Sequence, residues 1–395
     1  MSKEGVASRL GAAAVVGRVM REGAWTSLAV QAGAKELSAE DARTLEGLVY
    51  GTIRHLASLD AAIRQYSACS AIDDEVLDQL RVGTFEIWHG HAPTPVAVDT
   101  AVESIRSIRP RSAGFVNAVL RKISSTPPPT DRSSRLCLPT WLIESLDSAW
   151  GAQEVDDFGE ASLQPAPVSV RLRPGQDPPR GSKPISQIAG AYELEGRFQQ
   201  GAIPLADPSS VAVVAALGVE GGQRVADLAA APGGKTMDIV DRLGGDGFVV
   251  ASDRQQRRAL RAAKRVPEAS WTIADGRAPA LRRERFDRVL VDAPCSGLGT
   301  IRRRPEIRHR ATPAEIMRLA TLQQQMLAAA LELVADGGRL VYSVCTVTPE
   351  ETIDQVRDLG AKPPRQLPGR RWGDGWLLAP HLTGTDGMFI AVFDR

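Results

Sequence analysis

Cys295 and Cys345 stand fifty residues apart, each at the end of an apolar run that reads as a buried strand. The first lies in VLVDAPCSGLGTIRRRPE (289–306), the second in LVYSVCTVTPEE (340–351). Upstream, VADLAAAPGGKT (225–236) has the form of a strand, a glycine-rich turn and a helix. A thiol beside a nucleotide-type cofactor site suits covalent attack on an electrophilic ring. A lone cysteine at a strand end is ordinarily a small buried hydrophobe. Its thiol, with a pKa of about 8.5, is mostly protonated at neutral pH and needs help to attack. Here Asp292 precedes Cys295, and Thr346, Pro349, Glu350 and Glu351 follow Cys345, so both thiols can face one cleft.

The turn Ala229, Ala230, Ala231, Pro232, Gly233, Gly234, Lys235 is neither GxxxxGK[ST] nor GxGxxG. Adjacent glycines before a helix let the backbone approach a ligand and present amide N–H groups to its polar edge. A plain strand-to-helix turn accounts for the same residues. Asp253 ends the next expected strand, about twenty residues past the glycines, where a Rossmann-like fold places an acid on ribose hydroxyls. Asp275 ends a third and can accept from an adenine amino group. Singly, each aspartate reads as a helix cap or turn residue; their placement on successive strand ends argues for a ligand.

The elements that position these residues separate along the chain. Residues 1 to about 125 show helical spacing: an amphipathic helix at the start, then 42–63, 73–89, 95–108 and 112–124, an all-helical bundle. Pro127, Pro128 and Pro129 form a stiff break. Within 129–200, 141–151 reads as a helix, 167–174 as a strand and 174–184 as loop, a small α/β connector. From 201, strands at 224–229, 247–253, 270–275, 288–293, 338–344 and 388–393 alternate with helices, clearest at 254–265 and 313–335. That alternation implies a parallel sheet covered on both faces, with ligands at the strands' carboxyl ends.

The chain has 395 residues, enough for two or three domains, and no apolar run approaches the roughly 20 residues that span a bilayer. Cys69, Cys137, Cys295 and Cys345 show no metal-ligand spacing, and five scattered histidines add none, so neither zinc nor a disulfide framework is expected. Free thiols point to the cytoplasm. A net charge of +1 gives no argument for nucleic acid from the whole chain. Local clusters do: Arg302, Arg303, Arg304, Arg308 and Arg310, and Arg254, Arg257, Arg258, Arg261, Lys264 and Arg265, are expected to form a basic rim for phosphate backbone, the second cluster competing with a plain solvated face.

AAPGGKT, DAPCSGLGTIRRRPE and YSVCTVTPEE together resemble the RsmB/Nop2/Sun family of RNA cytosine-5 methyltransferases, which use S-adenosyl-L-methionine. DARTLEGLVYGTIRHLASLD and AGFVNAVLRKI resemble the NusB-like domain of the bacterial RsmB branch, and GTDGMFIAVF the family's closing strand. The resemblance implies a NusB-like helical RNA-binding domain (1–128), a small α/β connector (129–200) and a Rossmann-like methyltransferase domain (201–395). It implies residues 229–235 around the cofactor's methionine and ribose, Asp253 on the ribose, Asp275 on the adenine, and Asp292 between cofactor and target base. Cys345 would be the nucleophile and Cys295 the second thiol that helps free the product. The implied substrate is small-subunit (16S) rRNA, and a monomer without metal is expected. Ala229 and Val344 depart from the family's usual cysteine and threonine, and SVRLRP ends in proline where relatives tend to have asparagine. Two rivals remain: a DNA cytosine-5 methyltransferase attacking through Cys295, and a non-catalytic RNA-binding or antitermination protein.

Overall fold

A computed structural model describes residues 5–67, 71–173, 175–185, 188–194, 203–204 and 207–395; Cys69 lies outside them. Two units form, one from residues 1–164 with 301–310 and one from 165–300 with 311–395. No helix among the described residues is long and apolar enough to cross a membrane.

The first unit is helical: α1 (Val6–Arg21), α2 (Thr26–Gly33), α3 (Ala39–Arg54), α4 (Leu56–Tyr66), α5 (Asp74–His89), α6 (Thr94–Ile108), α7 (Ala113–Ser124), α8 (Arg132–Leu136), α9 (Thr140–Trp150) and α10 (Ala152–Ser162). One buried cluster joins Val16 and Val19 of α1 to Leu45, Val49 and Ile53 of α3. A second joins Leu80, Ala101, Ile105, Val116 and Leu120 of α5 to α7. Ser38 caps α3, its hydroxyl accepting from the Asp41 amide at 3.1 Å.

The helix expected over 42–63 is two helices, broken at His55. The break has a tertiary cause. The Ile53 carbonyl contacts His309 Nε2 at 2.8 Å and the Arg54 carbonyl accepts from Arg308 Nη1 at 3.1 Å, so incoming side chains hold the carbonyls that would have continued the helix.

The second unit opens with β1 (Ser169–Arg171), β2 (Ser182–Pro184), β3 (Ala191–Leu194) and β4 (Ile203–Pro204), an antiparallel sheet in the order β2-β3-β1-β4. There follow α11 (Ser209–Leu217), β5 (Arg224–Leu228), α12 (Gly234–Leu243), β6 (Phe248–Asp253), α13 (Gln256–Arg265), β7 (Ser270–Ile273) and β8 (Phe286–Asp292). After α14 (Ile307–Arg310), which belongs to the first unit, come α15 (Pro313–Leu331), β9 (Val334–Val344), α16 (Ile353–Val356), β10 (Arg370–Trp372), β11 (Gly375–Leu378), α17 (Pro380–Thr383) and β12 (Met388–Asp394).

The large sheet runs β10-β11-β12-β9-β8-β5-β6-β7. Strands β5 to β9 pair in parallel as the apolar runs imply, around a core that includes Val225, Ala251, Leu290 and Val341. The edge differs from the expected parallel sheet: β12 is antiparallel to β9, and β11 is antiparallel to both β10 and β12. The turn between β10 and β11, with Gly373 at φ 57°, is too short for the crossover that a parallel pair requires.

Residues 301–310 overturn the expectation that the first arginine cluster forms a phosphate-binding rim. Arg308 is fully buried and Arg302 nearly so. The Arg308 guanidinium donates to the carbonyls of Arg54 (3.1 Å), Cys137 (3.3 Å) and Ser162 (3.1 Å), at the C-terminal ends of α3, α8 and α10. Three helix C-termini carry partial negative charge, which is what a desolvated cation needs. Burial still pulls its pKa down to about 10. Arg310 donates to the carbonyls of Val19 (2.8 Å) and Ala24 (2.6 Å), its guanidinium carbon 5.3 Å from the Trp25 ring centroid. Glu306 accepts from the Thr26 amide and hydroxyl at the start of α2, where an acid complements the helix dipole.

Candidate active site

Strand β5 lies between β8 and β6, so the chain's direction of travel across the sheet reverses there. Open α/β sheets bind ligands at such a point, beyond the strands' carboxyl ends. The turn after β5 and the loop after β8 flank it. Asp227 sits near the carboxyl end of β5, Asp253 and Asp292 end β6 and β8, and Cys345 directly follows β9.

Ala229 (φ 62°) and Gly233 (φ 94°) turn the chain from β5 into α12. At Gly233 a Cβ would meet Val266 Cγ2 at 3.3 Å, so the turn packs closely on the segment after α13. Ala229, Ala230, Ala231, Pro232, Gly234 and Lys235 line a cavity of about 170 Å³ with Asp227 and Asp292. Arg258 Nη2 donates to the Ala231 carbonyl.

Electrostatics concentrate in this cavity. Asp227 is fully buried; Oδ2 accepts from Thr236 Oγ1 at 2.6 Å while Oδ1 has no partner. Burial pushes its carboxyl up to about 7, opposed by the Thr236 hydrogen bond. Lys235 Nζ donates to Asp292 Oδ2 at 2.7 Å, and Ser343 Oγ to Asp292 Oδ1 at 3.0 Å. Burial opposes the charge on Lys235, but Asp292 outweighs it and holds the ammonium above its usual range, with the Cys345 sulfur adding in the same sense.

The two sulfurs are 3.3 Å apart. The hydrogen bond to Cys345, then burial, holds the Cys295 thiol well above its ordinary range. Either sulfur can be the donor in this contact. Gly299 allows this closeness: a Cβ there would fall 2.1 Å from the Gly387 carbonyl oxygen and 2.9 Å from that of Cys345.

The expected residues thus split. Lys235 and Asp292 are paired and line the cavity with the alanine–glycine turn, whereas Cys295 and Cys345 pair with each other and are not among its lining residues. Asp253 is buried at the β6 end, its Oδ1 accepting from the Gln255 amide at 2.8 Å. Asp275 lies two residues past β7 and outside that cavity, its carboxylate bound by Arg277 at 2.7 Å and held down at about 2 by it. Ser343 and Gln323 escaped the sequence reading, and Glu351 was named there only as a residue following Cys345. Ser343 faces Asp292 only through the β8–β9 register, and Gln323 reaches the Pro294 carbonyl from α15 at 2.9 Å. No local pattern carries either pairing. No group of three or more His, Cys, Asp or Glu side chains among the described residues could hold a metal ion.

A doubly wound sheet with a glycine-rich turn, strand-end acids and a thiol pair defines a Rossmann-like methyltransferase domain. Family models described as "16S rRNA methyltransferase RsmB/F" and "NusB family" match residues 214–394 and 7–125. The Ribosomal RNA small subunit methyltransferase B of Thermus thermophilus is 34% identical, with 88% of this chain and 87% of the relative covered. That of Sodalis glossinidius is 31% identical over 97% and 96%. The solved structure of PH0851 shares the fold with a TM-score of 0.80 at 23% identity, covering 100% of this chain and 99% of its own. The chain belongs to the ribosomal RNA small subunit methyltransferase B family, enzymes dependent on S-adenosyl-L-methionine.

Proposed function

We propose that this protein methylates carbon 5 of a cytosine in small-subunit rRNA, in the cytoplasm, through a covalent Cys345 adduct. The observation that supports this most is the pair of sulfurs 3.3 Å apart at the ends of adjacent strands. S-adenosyl-L-methionine supplies an electrophilic methyl group. The residues present suit it. The small side chains of Ala229, Ala230, Ala231 and Gly234 leave room, and the unpartnered Asp227 Oδ1 offers an acceptor. Asp253 Oδ2, 3.6 Å from Arg258 Nη1, offers another for the ribose. Asp275 has lone pairs to spare beside Arg277 for an adenine amino group.

Carbon 5 of cytosine is a poor nucleophile until sulfur adds to carbon 6 and pushes electron density across the ring. Cys345 makes that bond, favoured as thiolate by the Cys295 thiol and the Lys235 ammonium. The electron-rich ring needs a proton or hydrogen bond at nitrogen 3. With Lys235 at 2.7 Å, Asp292 would relay the proton from the ammonium. After methylation a base takes the carbon-5 proton and the Cys345 sulfur leaves, its departure eased by the hydrogen bond that Cys295 donates. Carbon 6 is reached from the ring face, so the target base must be unstacked, as in a loop or flipped nucleotide.

Trapping on RNA containing 5-fluorocytosine tests the assignment. Cys345→Ala is expected to abolish the adduct and Cys295→Ala to retain or accumulate it. The reverse pattern would favour a DNA-type enzyme attacking through Cys295, and absence of S-adenosylmethionine binding by calorimetry a non-catalytic RNA-binding protein.

A further inference from the structure

The reaction proposed above asks two identical side chains to behave differently, one attacking and one staying protonated. Glu351 has no part in that scheme, yet it is fully buried in the turn that follows Cys345. Five donor groups converge on its two oxygens. Oε1 accepts from the Ser296 amide at 2.8 Å and from Gln323 Nε2 at 3.1 Å. Oε2 lies 2.5 Å from Ser296 Oγ, 3.0 Å from Thr346 Oγ1 and 3.0 Å from Thr348 Oγ1. Only a carboxylate completes such a set, and all five donors are neutral, so dipoles hold its charge without cancelling it.

The geometry has two consequences. Ser296 directly follows Cys295 and Thr346 directly follows Cys345, so one carboxylate grips the residue next to each sulfur. Gln323, whose Nε2 also donates to the Pro294 carbonyl, anchors that grip to α15. Two carboxylates, Glu351 and Asp292, also oppose ionisation of Cys295.

We propose that Glu351 is the positioning residue of the thiol pair: it sets their separation through Ser296 and Thr346, and its uncancelled charge beside Cys295 opposes loss of the Cys295 proton. This rests on the reading of Cys345 as nucleophile. The position of the Cys295 thiol above its ordinary range agrees in direction, with Glu351 among its causes after the Cys345 hydrogen bond, burial and the Cys345 charge.

The test is alkylation of the full chain by iodoacetamide, without RNA or cofactor, each cysteine followed by peptide mass spectrometry between pH 6 and 10. The ionisable groups facing the pair are Lys235, Asp292, Tyr342 and Glu351. Wild type is expected to label at Cys345 well before Cys295. Glu351→Gln keeps an acceptor for the Ser296 amide and Gln323, while two of the three hydroxyls can rotate to accept from its amide. In it the Cys295 profile is expected to move down by about one pH unit. In turnover it lowers kcat roughly ten- to a hundredfold with KM for RNA little changed.

Glu351→Asp keeps the charge with a shorter reach and is expected to retain the wild-type Cys295 profile; it carries the test alone if the glutamine variant fails to fold. An unmoved profile in Glu351→Gln, or one displaced in Glu351→Asp, would overturn the proposal. Labelling needs no turnover, so this outcome is separate from the trapping result. An adduct surviving in Cys345→Ala would sink the functional reading whatever the labelling shows.

Discussion

Asp227 is a costly carboxyl in the cavity beside the alanine–glycine turn, because one oxygen is buried without a partner. Its pKa is about 7 in the folded chain against about 3.9 for an unfolded aspartate. The folded state therefore keeps a proton that the unfolded state releases, so stability falls as pH rises from about 4 to about 7 and levels off above. Asp227→Asn keeps the Thr236 hydrogen bond and removes the titration. Urea midpoints at pH 5 and 8 are expected to show wild type losing ground to this variant, with a slope of up to about 1.4 kcal/mol per pH unit where only one state is protonated. A gap between the two that does not change with pH would refute the assignment. The cysteines, Asp292 and Lys235 were legible because chemistry restricts residue type at strand ends. The orphaned Asp227 oxygen and the Glu351 hub were not, since satisfaction of a buried polar atom depends on neighbours brought from elsewhere in the chain.

At the scale of elements, α13 carries Arg257, Arg258, Arg261, Lys264 and Arg265 in ten residues with no acid, and its buried face is only Ala259 and Ala262. Arg258 is tied inward to the Ala231 carbonyl. Arg257, Arg261 and Lys264 are exposed, and Arg265 borders the cavity beside the alanine–glycine turn, which makes this helix a candidate basic strip for phosphate. Arg257→Ala, Arg261→Ala and Lys264→Ala are each expected to weaken RNA binding irrespective of sequence. Each should reduce the magnitude of the log K against log salt slope by about 1; unchanged slopes in filter binding would leave the strip a plain solvated face. Strands β5 to β9 and helix α13 were readable because burial on both faces writes a continuous apolar run and a surface helix writes an amphipathic one. Strands β10 and β11 hold RRW and GWLL, too short and too mixed for a period to register. The break between α3 and α4 was unreadable for another reason: the side chains that end α3 lie about 250 residues further on.

For the whole molecule, those same residues decide how the chain is partitioned. It leaves the second unit at Thr300, contributes ten residues to the first and returns at Ala311. Arg302 and Arg308 looked like an RNA rim because composition reports charge and not exposure. What reverses the reading is the convergence of α3, α8 and α10 C-termini on one guanidinium, a tertiary arrangement that no window of sequence contains. Arg304, in the same arginine-rich stretch, is by contrast exposed. The two arginines therefore make a matched test. Arg308→Ala leaves three buried helix-terminal carbonyls without their donor and opens a cavity, and is expected to destabilise the full chain by about 3–5 kcal/mol. Arg304→Ala is expected to stay within about 0.5 kcal/mol of wild type. Urea denaturation measures both, and hydrogen exchange locates the loss, which should fall first on the ends of α3, α8 and α10. Equal, small effects from the two substitutions would mean that the 301–310 segment does not cap the helical unit, and the arginine cluster would return to being a candidate for phosphate.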